Sequence, residues 1–245
     1  MAWGCGVGVF TRKTAAVTGA SSGIGRAIAL RLGEAGAHVF AAGRRAEALA
    51  GTVQAVAGAG GAATAVAADL RDPGAVQGLV DRAVTDTGRL DVMVNNAGVS
   101  FGGPLADGDP EAWREMLEVN VLALAVGSRA AVRAMRACGA EGHIVNVSSS
   151  ATRLVAPGFY GATKAAVNAI TASLRQELES DAIRVVTVIP GRTATNLARY
   201  QPDRLRVLAS ADDVARAVLF AITQPIELSI SEIAVQPARW LAVPA

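Results

Sequence analysis

Short apolar runs alternate along this chain with longer segments whose apolar residues recur at helical spacing. Seven runs read as strands: 14–18, 38–42, 62–68, 90–94, 142–147, 183–189 and 230–235. They are almost continuously apolar and bounded by turn residues, the pattern of strands covered on both faces. Six segments between them read as helices: 23–34, 45–57, 73–87, 110–137, 158–180 and 211–223. Strand–helix alternation predicts βαβ units with right-handed crossovers around a parallel sheet. No linker or internal repeat divides the chain, so one domain over 1–245 is expected, with 1–11 as an N-terminal extension. The irregular pieces 95–109, 148–157 and 190–208 all follow strands. They therefore fall at the carboxyl edge of the sheet, where open α/β folds bind ligands.

Composition narrows the class. With 51% hydrophobic and 18% charged residues in 245, a disordered chain is excluded. The apolar stretches 119–127 and 217–222 fall well short of the ~18 residues of a membrane span. The net charge of +2 comes from scattered residues, which leaves no footprint for nucleic acid or a membrane surface. Cys5 and Cys138 give neither a disulfide framework nor a metal spacing, and His38 and His143 read as strand residues, so no metal is expected. Residues 1–10 lack a basic start and a cleavage signal, and a cytoplasmic location is expected.

Two segments carry candidate chemistry for a nucleotide. The first strand runs into Thr18-Gly19-Ala20-Ser21-Ser22-Gly23-Ile24-Gly25 and then an Ala-rich helix. Glycines there permit a tight turn and close approach of a pyrophosphate, and the helix start offers free N–H groups. A plain structural turn is the alternative. The second strand ends at Gly43 and is followed by Arg44 and Arg45, with no acidic residue to hold a ribose 2′-hydroxyl. Two guanidiniums there suit a 2′-phosphate, which favours NADP(H) over NAD(H).

A third segment carries candidate acid–base chemistry. Tyr160 and Lys164 stand one helical turn apart on a shared face. An ammonium about 6 Å from the phenol, at an effective dielectric of ~20, brings its pKa from about 10 toward about 8. Lys164 is one of two lysines in the chain; every other basic residue is Arg. Upstream, strand 142–147 ends in Ser148-Ser149-Ser150, where a hydroxyl could donate to a substrate oxygen.

These motifs, with Asn95-Asn96-Ala97-Gly98 after the fourth strand, Asn120 inside the long helix and Pro190-Gly191 after the sixth strand, occur in an order that resembles the short-chain dehydrogenase/reductase family. The resemblance spans residues 12–237 and implies a Rossmann-like, doubly wound sheet of seven parallel strands, order 3-2-1-4-5-6-7, with helices on both faces. It implies that Tyr160 is the general acid/base and that Lys164 lowers its pKa and holds the nicotinamide ribose. A serine would orient the substrate oxygen: Ser149 by alignment of the strand, Ser148 being the alternative. Asn120 would bind a water linked to Lys164, its backbone opening the helix locally. For the cofactor, the resemblance implies contacts from Gly19, Ser21, Ser22, Gly23, Ile24, Gly25, Arg44, Arg45, Asp69, Leu70, Asn96, Ala97, Gly98, Tyr160, Lys164, Pro190, Gly191, Thr193 and Thr195. The ending Ser231–Pro237 replaces a common Asp-Gly-Gly and is similar to the branch of NADP-dependent 3-hydroxy-acid and serine dehydrogenases.

The implied reaction is reversible hydride transfer between NADP(H) and a carbonyl/alcohol pair, on a ketone, aldehyde or 3-oxo/3-hydroxy acid. The helix 110–137 carries Val119, Val121, Leu122, Leu124 and Val126 on several faces, so it is expected to cover the sheet and meet another subunit; the resemblance, in which this helix and 158–180 form a four-helix contact, implies a dimer or tetramer. Arg153 and Arg192 are candidates to pair with a substrate carboxylate. Trp113 and Trp240 read as packing residues, although Trp240 could reach a neighbouring subunit. Two rival readings have a sequence basis. Gly98-Val99-Ser100-Phe101-Gly102 fits a hydrolase nucleophile elbow, but that needs a helix directly after the serine, and Gly103-Pro104 follows. A non-catalytic NADP(H)-sensing regulator on the same fold is the other; sensors commonly lose the Tyr or the Lys, and this chain keeps both.

Overall fold

All strands of the sheet run in the same direction because each connection between consecutive strands carries a helix. The computed structural model describes residues 8–153, 158–195, 197, 208–225 and 227–237. The elements are β1 (Thr14–Thr18), α1 (Gly23–Glu34), β2 (His38–Gly43), α2 (Ala46–Gly58), β3 (Ala62–Ala67), α3 (Pro73–Thr87), β4 (Val92–Asn95), α4 (Pro110–Leu117), a π-helical turn (Glu118–Leu122), α5 (Ala123–Cys138), β5 (Gly142–Val147), a 3₁₀ turn (Ser150–Thr152), α6 (Tyr160–Glu177), β6 (Ile183–Pro190), α7 (Ala211–Ile222) and β7 (Glu232–Val235). The sheet order is β3-β2-β1-β4-β5-β6-β7, as the family resemblance implies.

Alternate residues of each strand feed opposite cores. Ala15, Val17, Val39, Ala41, Val92 and Val94 meet Ile28 and Leu32 of α1 and Val214 and Val218 of α7. Ala16, Phe40, Ala42, Met93 and Ile144 meet Leu79 and Ala83 of α3 and Ala131 and Met135 of α5. Helix starts follow their sequence signals. The carboxylate of Asp72 accepts from the N–H of Gly74 ahead of α3, and Asp109 accepts from Glu111 ahead of α4, each with Pro in the first turn. Ser210 and Asp213 form a reciprocal cap on α7.

One element departs from the apolar pattern. The predicted helix 110–137 is divided by the π-helical turn around Asn120. One extra residue in a single turn barely disturbs a 3.6-residue apolar period, so hydrophobic spacing alone does not reveal it. Sequence limits shift slightly elsewhere: α6 begins at Tyr160 rather than 158, and β7 at Glu232 rather than 230. Among the described residues, no helix is long and apolar enough to cross a membrane. The N-terminal extension contributes to the fold at Phe10, which is buried in the α1-side core.

The amino edge of the sheet is tied by Asp91. Its carboxylate accepts from the Thr14 N–H at 2.8 Å and from Arg89, and pairs with Lys13 at 3.2 Å. Burial alone would raise its pKa, but the hydrogen bonds from Arg89, Thr14 and Lys13 outweigh burial and hold it below 3.8. A carboxyl with a depressed folded-state pKa contributes stability that is complete above its unfolded pKa of about 4 and is lost as pH falls through the folded value. Asp91→Asn should therefore lower stability at pH 7 by on the order of 3 kcal/mol. In urea melts, the gap between variant and parent should close below about pH 4. A gap that persists unchanged in acid would contradict this account.

Candidate active site

At the carboxyl edge, β1 delivers its last residue, Thr18, into the glycine turn. Gly19 has φ +68°, and a Cβ on it would lie 2.8 Å from Asn96 Nδ2. Gly25 is more constrained: a Cβ there would meet Asn96 Nδ2 and the Gly19 carbonyl oxygen, each at 2.4 Å. Only glycine fits this approach between α1 and the strand end. Ser22 precedes α1 in an extended conformation, and its side chain does not cap the helix. The first N–H groups of α1 are thus left uncapped by that hydroxyl, at the positive end of the helix. Thr18 Oγ1 donates to the Val94 carbonyl and accepts from the N–H groups of Asn96 and Ala97 at 3.0 and 3.1 Å. The turn after β1 and the turn after β4 are therefore one unit. The methyl group of Thr195 lies against Gly23, and Ile24 packs on the α1-side core.

Arginines gather beyond β2 and β3. Arg44 is exposed, with Nη1 3.5 Å from Glu115 Oε1. Arg45 reaches Ser21 Oγ at 3.4 Å. Arg71 grips the Asp69 carboxylate with its guanidinium and its backbone N–H, and these bonds hold the Asp69 pKa down to about 2. Leu70 is buried in a small apolar cluster with Ala68, Val76 and Ala123, against which Ala97 packs.

The reactive groups converge beside this turn. Tyr160 opens α6, and Lys164 follows one turn later. Lys164 is 3% exposed; its Nζ donates to the Val147 carbonyl at 2.8 Å and lies 5.9 Å from the Tyr160 ring centroid. The same Nζ and Asn120 Oδ1 face the Cα of Gly98, where a Cβ would stand 3.5 and 3.3 Å from them. Asn120 holds Val99 by both backbone groups and donates to Thr163 Oγ1 at 3.0 Å. Thr163 Oγ1 in turn donates to the Tyr160 carbonyl at 2.7 Å. Ser149 lies beside the Tyr160 hydroxyl, close enough to lower its pKa, and accepts from the Ala151 N–H at 3.1 Å. Ser148 is buried, with its hydroxyl directed at the Lys164 carbonyl. Of the two serines, it is Ser149 that lies beside Tyr160.

The pKa expected for Tyr160 needs correction. Burial raises it above 10, and the Ser149 hydroxyl beside it offsets this only in part. Lys164 does not depress it here, because its ammonium is turned to Val147 and is itself disfavoured by burial, falling from 10.5 to about 8. Simple point-charge reasoning omitted the desolvation of both partners.

Other expectations fare unevenly. Thr193 is buried, donates to the Gly191 carbonyl and bridges to Ala209, while the Gly191 N–H bonds Val235. Arg153 is ion-paired with Glu232, which occupies it, whereas Arg192 is exposed. Trp113 stacks on Phe159 at 5.3 Å, as packing predicts. Ser100 is followed by an irregular segment up to Pro110, so the hydrolase elbow is absent. Trp240, residues 154–157 and most of 196–207 lie outside the described residues. Among the described residues, no group of three or more His, Cys, Asp or Glu could hold a metal.

Sequence reading missed Thr163 and a buried polar ladder beneath the site. Asn95 Nδ2 donates to Ser128 Oγ and Asn146 Oδ1, and Asn146 Nδ2 donates to Thr171 Oγ1. Thr163 had a findable signal, since it lies three residues after Tyr160 on the same helical turn. The ladder had none, because its members come from four separate elements.

The sheet order and the glycine turn define a Rossmann-like fold, with the Tyr–Lys–Ser cluster as its candidate acid–base site at the carboxyl edge. The chain belongs to the short-chain dehydrogenase family, whose model matches residues 13–205. It is 35% identical to an uncharacterised oxidoreductase of Staphylococcus aureus (strain USA300), over 94% of this chain and 99% of that protein. It is 34% identical to a glycine betaine reductase of Emericella nidulans, over 94% of this chain but only 19% of that much longer protein. A solved metagenomic short-chain oxidoreductase in complex with NADP superposes with a TM-score of 0.82 at 36% identity, covering 94% of this chain and 100% of that one.

The burial of Lys164 has a measurable consequence. A base whose pKa is about 8 when folded and about 10.4 when unfolded destabilises the fold below pH 8. The unfolded state binds more protons between those values, so stability rises with pH across that window. Lys164→Met should therefore raise stability at pH 7 by on the order of 3 kcal/mol and flatten the rise between pH 8 and 10. Parallel urea melts at pH 7 and 9.5 test this. An equally steep rise in the variant would assign it to another group.

Proposed function

We propose that this protein is an NADP(H)-dependent oxidoreductase that interconverts a carbonyl and its alcohol. The observation that carries the reading is the meeting of the Tyr160 and Ser149 side chains beside buried Lys164. The chain's residues fit the cofactor. Gly19 and Gly25 let the turn close tightly on Asn96 and Ala97, Ser21, Ser22 and Ile24 would border the pyrophosphate, and α1 presents to it N–H groups that the Ser22 side chain does not cap. Arg44 and Arg45 suit a 2′-phosphate. Asp69 and Leu70 would border the adenine, Asn96, Ala97 and Gly98 the ribose, and Pro190, Gly191, Thr193 and Thr195 the nicotinamide end. The NADP complex of the metagenomic relative supports the choice of cofactor. When bound, the cofactor supplies or accepts a hydride.

In the reducing direction, Tyr160 Oη gives its proton to the substrate oxygen as the carbonyl becomes an alcohol. Ser149 Oγ donates a hydrogen bond to the same oxygen, where negative charge develops. Lys164 would hold the nicotinamide ribose, and its ammonium would stabilise the remaining phenolate once turned from the Val147 carbonyl toward the Tyr160 hydroxyl. Asn120 holds the loop at Val99 and, through Thr163, the first turn of α6, so the hydroxyls and the ammonium keep one geometry. In the oxidising direction, Tyr160 takes the alcohol proton. Ketones, aldehydes and 3-oxo acids are the substrate classes. The same reading includes a dimer or tetramer through α4, α5 and α6, where Leu117 and Leu122 are exposed.

An NADPH-oxidation screen over ketones, aldehydes and 3-oxo acids should reveal turnover. Tyr160→Phe should abolish it while NADPH binding, followed by nucleotide fluorescence, survives. Ser149→Ala should cut kcat by about 10²–10³, far more than Ser148→Ala. A Tyr160→Phe protein with near-normal turnover would sink the mechanism. Arg44→Ala should weaken NADPH binding roughly 10- to 150-fold, the loss of a charge-assisted contact, and leave NADH nearly unchanged. Equal loss for both nucleotides would remove Arg44 from the phosphate site.

A further inference from the structure

The arginines beyond β2 and β3 do not stand alone. Helix α4, from a different part of the chain, brings Glu115 up to Arg44, with Oε1 3.5 Å from Nη1. The carboxylate is the more enclosed partner: 26% of the Glu115 side chain is exposed against 54% for Arg44. Glu115 and Glu118 also act on Arg71, and Arg44 acts on Asp69. Arg44 and Arg71 thus stand among three carboxylates, Asp69, Glu115 and Glu118, with Arg45 beside them at the end of β2. Asp69 is held by Arg71 and Arg45 leans on Ser21. Of the two arginines at the end of β2, Arg44 is the one with a carboxylate partner.

We propose that Glu115 is an internal counter-ion that competes with the cofactor's 2′-phosphate for Arg44, and so tempers the preference for NADP(H) over NAD(H). The proposal rests on the reading of Arg44 as a phosphate-binding residue. A guanidinium offers one well-placed fork to an oxyanion. A phosphate that takes this fork must displace the carboxylate and then remain within its repulsive field. Breaking a partly exposed pair is cheap, and the residual repulsion at several ångströms is also modest. Together they amount to roughly a 3- to 10-fold handicap on NADPH binding. A neutral ribose 2′-hydroxyl makes no such demand, so NADH binds with the Arg44–Glu115 pair in place. Glu115 therefore acts on one nucleotide and not on the other.

The test is nucleotide binding without turnover, by fluorescence titration of NADPH and NADH at low salt. Thermal melts confirm that each variant folds. Glu115→Gln should tighten NADPH binding about 3- to 10-fold and leave NADH within about twofold. The gain should shrink at ~0.5 M salt, where the Debye length falls to a few ångströms. In an Arg44→Ala background, where only the residual repulsion remains, Glu115→Gln should tighten NADPH binding by less than about threefold and leave NADH unchanged. Unchanged or weakened NADPH binding in Glu115→Gln would overturn the proposal, weakened binding meaning that Glu115 pre-orients Arg44 instead. Equal tightening of both nucleotides would also overturn it, as a general field effect. The two readings fail separately. A nucleotide-selective Arg44→Ala with an inert Glu115→Gln defeats only the competition, whereas an unselective Arg44→Ala defeats the phosphate reading beneath it.

Discussion

Burying an ammonium away from any carboxylate costs several kcal/mol, and a chain accepts that cost only where other groups keep the charge in place. Lys164 is such a case. Its Nζ is bonded to the end of β5 through the Val147 carbonyl, and it faces the Gly98 backbone at close range. Much of the surrounding architecture follows. A side chain at Gly98 would press on Asn120 Oδ1, from which a Cβ would stand 3.3 Å. The π-helical turn brings Asn120 to both backbone groups of Val99. Thr163 closes the circuit back to Tyr160. The site is a ring of short hydrogen bonds around one costly charge.

A second coupling joins this ring to the glycine turn. Thr18 Oγ1 is shared among the Val94 carbonyl and two N–H groups of the β4 turn, and Asn96 Nδ2 returns a bond to the Thr18 carbonyl. The close approach at Gly25 leaves no slack between them. A group seated in the first turn therefore meets a loop whose next residues, Gly98 and Val99, belong to the Lys164–Asn120 circuit. The glycine turn follows β1 and the Gly98–Val99 loop follows β4, and because β1 and β4 are adjacent the turn lies beside the loop that Asn120 holds.

The fold was legible because each element carried its own signal. Apolar runs marked the strands, Asp72-Pro73 and Asp109-Pro110 marked helix starts, and the strand order followed from the family resemblance. Tyr160, Lys164 and the glycine turn were legible because their spacings are short. Other parts were hidden for physical reasons. The π-helical turn leaves apolar periodicity almost intact, and only the resemblance hinted at it. The Asn95–Asn146–Thr171 ladder and the Arg44–Glu115 pair join positions far apart in sequence, and polar residues at such positions look like ordinary surface. The direction of the Tyr160 pKa was misjudged because burial is a property of the folded site, invisible to a distance between two residues.

The two edges of the sheet treat buried charge in opposite ways, and the contrast separates stability from chemistry. At the amino edge, Asp91 is surrounded by Arg89, Lys13 and the Thr14 N–H, so its charge is matched and its pKa depressed. That arrangement favours one protonation state over a wide pH range and ties β1 to β4. At the carboxyl edge, burial pushes Lys164 down toward about 8 and Tyr160 up. Each group is thereby moved toward its neutral form, and a nearby change of charge can move it back. A matched ion pair resists such a change; a mismatched buried pair responds to it. The proton transfer proposed for Tyr160 needs the second condition, and the carboxyl edge, where Tyr160 and Lys164 are buried without a matching charge, provides it.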